Sequence, residues 1–225
     1  MKAGRTVAIN PSSPDGYYLN GTSVTLTATA GTNYYFSGFA GAVSGDQSRI
    51  TFAMDKPITL EAKFSLDPIT NIRAGGAGIP LPAVVDGVAV TVPTQFYWTP
   101  GSRHTIAFAS PLSPQGGGVQ FLFSKWSDGT TSLSRTVNAL VTPQTFTADF
   151  IKQFFVTTSA QPANGGTVTG QGWYTAGSSA TFSATPAPGF QFTGFNGNPA
   201  LTSPLTATIT APTIEYAYFK QSHSH

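Results

Sequence analysis

Three ordered runs of landmarks recur along this chain, and that self-similarity limits what it can fold into more than any other feature. Each run holds an adjacent aromatic pair, a Gly-Thr or Gly-Ser turn, a strand of alternating apolar and hydroxyl residues, an aromatic stretch, and a closing strand that ends on Phe. The first run reads Tyr17-Tyr18, Gly21-Thr22, Val24 to Ala30, Tyr35 to Phe39, then Leu60 to Phe64. In the second these become Tyr97-Trp98, Gly101-Ser102, His104 to Phe108, Phe121 to Trp126, then Phe146 to Phe150. The third holds Trp173-Tyr174, Gly177-Ser178, Ala180 to Thr185, Phe190 to Phe195, then Tyr216 to Phe219. The turn glycines fall at intervals of roughly 80 and 76 residues, the mark of a repeated supersecondary unit. Three tandem modules are predicted, spanning 6–66, 69–150 and 154–219.

Val24, Leu26 and Ala28, like Phe182 and Ala184, alternate with Thr and Ser, the period of a strand with one buried face. Each module therefore reads as five or six short antiparallel strands, and the fold class is all-β. Composition agrees: 24 Gly and 17 Pro supply turns, and a 40% hydrophobic, 12% aromatic content is enough to bury cores. No segment carries helical spacing free of Gly and Pro. The connectors Ser65–Pro68 and Ile151–Gln153 are short, so a semi-rigid, monomeric rod is expected.

Charge and hydropathy exclude several classes of partner. The net charge of +2 is scattered, leaving no cationic stripe for nucleic acid. No apolar run approaches the ~18 residues of a membrane helix, and Met1 to Arg5 lack the apolar core of a signal peptide. The chain is expected to be soluble, and to be one piece of a longer exported protein whose signal lies elsewhere. With no Cys, disulfides are excluded.

The run Gly21-Thr22-Ser23-Val24-Thr25-Leu26-Thr27-Ala28, followed by Tyr35-Phe36-Ser37-Gly38-Phe39 and closed by Leu60-Glu61-Ala62-Lys63-Phe64, resembles the divergent internalin B-repeat modules of bacterial surface and secreted proteins. Phe123 to Gly129 with Phe146 to Phe150 is similar to a variant of the same family, and the resemblance covers nearly the whole chain. It implies a β-grasp or related β-rich module, repeated in exported proteins with spacer or adhesive roles, located at the cell surface or secreted. Phe39 and Phe195 stand where Trp is common in that pattern, a change between large core aromatics.

A feature present in every copy is structural, whereas one found in a single copy is where function could reside. The closing Phe64, Phe150 and Phe219 and the set Phe39, Trp126 and Phe195 are predicted core. In each aromatic pair one ring should enter the core and the other face outward. Tyr18, Trp98 and Tyr174 are expected to be the outward, ligand-binding members; the alternative is that the outward rings cover module junctions. His104 has Ser neighbours and Asp86 and Asp128 within its module, but no Gly-x-Ser-x-Gly elbow accompanies them.

The pairs Asp15-Gly16, Asp86-Gly87 and Asp128-Gly129 read as turns. No acid spacing fits a Ca²⁺ loop, although loop carbonyls leave that ion open, and the His223-Ser224-His225 tail is at best a weak metal binder. No cofactor or metal is expected. The second module is about seven residues longer between its turn Gly and its core aromatic, through Ser110 to Gly118, and has a further extension at Gly75 to Pro82. Such loops are the first place to seek a specific site.

The function expected is a non-catalytic adhesive and spacer array binding a protein or polysaccharide ligand. The alternatives are a carbohydrate-binding module using outward aromatics, and an unusual, metal-dependent hydrolase on the loops of the second module.

Overall fold

The computed structural model describes residues 5–223. It is all-β, with no helix among the described residues. The all-β form of the expectation holds. The chain divides into two compact units: one of the residues up to Asn71 with Gln95–His104 and Thr136–Thr145, the other of Ile72–Thr94, Thr105–Arg135 and Phe146 onward.

The first unit begins with strands β1 (Thr6–Asn10), β2 (Thr22–Thr29), β3 (Tyr34–Gly41), β4 (Arg49–Met54) and β5 (Leu60–Leu66). A three-stranded antiparallel sheet runs β1-β2-β4, and β3 and β5 form a two-stranded antiparallel sheet. The alternation read from β2 decides its burial: Val24, Leu26 and Ala28 are buried and pack with Phe39. Phe36, Phe52, Met54, Leu60, Ala62 and Phe64 are half-buried around them.

Strands β6 (Ile69–Gly75), β7 (Leu81–Val85), β8 (Val88–Val92), β9 (Thr94–Tyr97), β10 (Arg103–Ala107), β11 (Val119–Trp126) and β12 (Ser134–Asn138) follow. Then come β13 (Gln144–Gln161), β14 (Gly166–Thr169), β15 (Gly172–Thr175), β16 (Ser179–Pro186), β17 (Phe190–Phe195), β18 (Leu205–Thr208) and β19 (Thr213–Gln221). In the second unit β13 is the organising strand. It pairs antiparallel with β11 through Phe154 and parallel with β19 from Val156 to Gln161. The expected connector Ile151–Gln153 is thus part of one uninterrupted strand. A second three-stranded sheet, β14-β16-β18, packs over Phe154, Val156, Phe182, Phe195 and Phe219.

Three geometric motifs recur in all three landmark runs. In the turn, the hydroxyls of Thr22, Ser102 and Ser178 each donate to the carbonyl three residues back, on Leu19, Thr99 and Thr175, at 2.7, 2.5 and 2.6 Å. The preceding glycine amide donates to Met54, Ala139 or Ile209. The antiparallel pairs β3–β5, β11–β13 and β17–β19 share one bulge, between Phe36 and Gly38, Phe123 and Lys125, and Phe192 and Gly194. Beneath each bulge lies the same aromatic triad: Phe36 with Phe39 and Phe64, Phe123 with Trp126 and Phe150, Phe192 with Phe195 and Phe219, at centroid distances of 4.8 to 6.1 Å. A bulge lets the strand bend while the rings on both sides of it face one core.

Candidate functional site

Each aromatic pair splits, one ring in and one out: Trp173-Tyr174 within β15, Tyr97-Trp98 at the end of β9, and Tyr17-Tyr18 in the connection between β1 and β2. The outward ring is the first of each pair. Tyr17 is 83% exposed, Tyr97 51% and Trp173 40%, whereas Trp98 is 6% exposed and Tyr18 and Tyr174 are half-buried. This corrects the expected orientation of Tyr18, Trp98 and Tyr174, and the polar partners explain it. The Tyr18 hydroxyl donates to Pro11 O at 2.9 Å and that of Tyr174 to Gly170 O, so each ring is anchored to its own loop. Trp98 lies against Phe96 and is stacked flat on His104, ring centroids 3.9 Å apart at 4°.

The residues around each pair set the direction of its split. Phe96 and Trp98 stand two apart, hence on one face, which sends Tyr97 to the other. Phe154 and Val156 define the inner face of β13, and the cross-strand pair of Phe154 is Tyr174, whereas Phe155 and Trp173 pair on the outer face with rings 5.1 Å apart.

His104 Nε2 lies 2.8 Å from Ser102 Oγ. The Ser102 hydroxyl has one proton, and its bond to Thr99 O takes it. His104 therefore donates from Nε2 to the oxygen, the reverse of the general-base arrangement that activates a serine. The same hydroxyl bond at Thr22 and Ser178, where no His follows, identifies it as a turn element.

The three Asp-Gly pairs are turns. Asp15, Asp86 and Asp128 accept backbone N–H bonds from Tyr17, Thr105 and Thr130 at 3.0, 2.8 and 3.0 Å. Asp86 and Gly87, with φ of 50° and 78°, form the two-residue connection of the β7–β8 hairpin. Arg135 bonds Asp128 at 2.7 Å, which with Thr130 holds that carboxyl well below the usual carboxylate range. The Arg135 guanidinium also lies over Trp126 and Phe146. The Tyr17 amide and Ser13 hydroxyl lower Asp15.

Asp67 is different. It is buried, its Oδ2 accepts only a 3.3 Å bond from Thr99, and its Oδ1 has no partner. Burial pushes its carboxyl up, the Thr99 bond acting the other way.

Among the described residues no group of three or more His, Asp or Glu could hold a metal ion; His225 lies outside them. The Ser110–Gly118 loop is tied down at its end, where Phe155 N donates to Gly118 O and Gly118 packs on Pro212. An open depression of about 330 Å³ beside it is lined by Gly117, Gly118, Phe155, Thr157, Pro212 and Ile214 among others, with no titratable side chain. The loop is a brace on β13, with no group for acid–base work. No helix among the described residues is long and apolar enough to cross a membrane.

A family model described as the divergent InlB B-repeat domain matches residues 4–68 and 156–223, more than half of the chain. A search of the curated proteins finds no match.

Proposed function

We propose, from the premise that this chain belongs to the divergent InlB B-repeat family, a family of bacterial surface repeats, that it is a non-catalytic surface segment serving as spacer and adhesive array. Residues 69–150, between the two matched regions, are an elaborated third copy: they carry the same turn, bulge and aromatic triad, with β7 beside β10 as β1 lies beside β2 and β14 beside β16. The observation that carries the spacer reading is β13. Its Ala148 and Phe150 are buried where it pairs with β11 and its Phe154 and Val156 in the next core, so neighbouring copies share a strand where a flexible linker would otherwise stand. Shared strands couple the stability of adjacent repeats. In single-molecule pulling of the whole chain, the second and third repeats, residues 69–219, should release in one step of roughly 500 Å, at ~3.5 Å per residue. Two separate steps of about half that length would refute the coupling.

A second reading, glycan binding, is favoured by the exposed rings Tyr17, Tyr97 and Trp173. Stacking a sugar on such a ring gains about 25 cal/mol per Å² of apolar area removed from water. Alanine at these three positions should abolish retention on a polysaccharide array while leaving melting unchanged. A wild-type chain that retains no glycan removes this reading and leaves the spacer role.

A further inference from the structure

The first and third copies differ at one edge. In the third, β19 is flanked by β17 on one side and, on the other, by the parallel segment Val156–Gln161 of β13. In the first, β5 pairs with β3 alone, and no described residue occupies its other edge. The registers of Phe39 on Ala62 and of Phe195 on Ala217 superimpose the two strand pairs, so the edge that β13 covers on Thr213–Tyr218 corresponds to Ile58–Lys63.

The consequence is visible in the packing. Phe154 and Val156 enter the third core against Ala180, Phe182 and Ala217, all buried. Their counterparts Val24, Leu26 and Ala62 line an open apolar groove of about 650 Å³ in the first unit, with Ile58 and Leu60 along its rim. Ala217 and Phe219 are buried, whereas Ala62 and Phe64 remain half-exposed, and Val7 on the facing strand is 39% exposed. An uncovered strand edge beside an apolar groove is a template for strand addition.

We propose that Ile58–Lys63 and this groove form a strand-acceptor site, which binds an extended segment of another polypeptide parallel to β5, carrying large apolar side chains at alternate positions as Phe154 and Val156 do. A second copy of this chain keeps its own Phe154–Gln161 within β13, paired with β11 and β19. This inference is independent of the spacer reading.

The probe is the peptide of sequence Phe154 to Gln161, added at ~1 mM to the whole chain, a level that detects even millimolar affinity. Amide hydrogen exchange is followed in Thr59–Lys63, with Ile214–Tyr218 of the same molecule as control. Expected is at least about twofold slower exchange in β5, no change in β19, and loss of the effect when the Phe154 and Val156 equivalents of the peptide are Ser. Unchanged exchange in β5, or protection by the Ser peptide as well, would overturn the proposal. So would sedimentation showing a dimer without peptide in which the same amides are already protected, since that assigns the edge to a second copy. The wild-type chain carries these arms, so no variant has to fold.

Discussion

Replacing Trp126 by Ala tests the central landmark of the repeat at the position where most converges. The ring is fully buried, centroids 5.6 Å from Phe108 and 6.1 Å from Phe123, its Nε1 donates to Ser132 O at 2.8 Å, and Arg135 lies 4.9 Å over its face. Truncating a buried Trp costs about 3–5 kcal/mol in transfer and cavity terms. The lost Ser132 bond adds ~1 kcal/mol and the lost cation–π contact ~0.5–1 kcal/mol, so about 4.5–7 kcal/mol is expected. Trp126→Phe separates these terms. Phe39 and Phe195 fill the same place in the sister copies, so a benzene ring fits the site. Most of the packing returns, and the residual cost should fall to about 1–2 kcal/mol, chiefly the indole bond. Because a multi-repeat chain need not unfold in two states, the assay is site-resolved hydrogen exchange over β11 and β13. A cost for Trp126→Ala below ~1 kcal/mol, or equal costs for Ala and Phe, would refute the argument.

Two further outcomes follow. Gly194→Ala should destabilise the third copy more than an ordinary surface substitution would, because its φ of 141° disfavours a side chain and an added Cβ would collide with Asn198 O; thermal melting with exchange in β17 measures it, and a loss within ~0.5 kcal/mol of zero would contradict the strain. Asp67 has a folded pKa above its unfolded value of 3.8, so the folded state binds that proton more tightly and ionisation weakens the fold as pH rises through this window. Asp67→Asn should therefore raise the melting temperature of the first unit at neutral pH and flatten its slope between pH 3.8 and 7, as read by melting across that range. An unchanged slope would show that Asp67 is solvated when folded.

Much of this protein is written in local pattern. The Val24-Leu26-Ala28 alternation, the Gly-Thr/Ser turns, the Asp-Gly turns and the core identity of Phe39, Trp126 and Phe195 all follow from periodicity and turn chemistry, which act over a few residues and repeat three times. The split of each aromatic pair was legible too, but its direction was not, because strand period fixes that neighbours face apart and leaves open which face the core claims. That choice belongs to partners beyond the pair itself: Phe154 across from Tyr174, His104 stacked on Trp98, and the Pro11 carbonyl that accepts from the Tyr18 hydroxyl. Tertiary pairing alone made Ile151–Gln153 the middle of a strand, since a segment that reads as a polar connector becomes extended when β11 and β15 bond it on either side. Only the assembled sheets show that β19 has two neighbours and β5 one. A strand's own residues carry its inward and outward faces, but the occupancy of its edges is a property of whatever chain lies next to it.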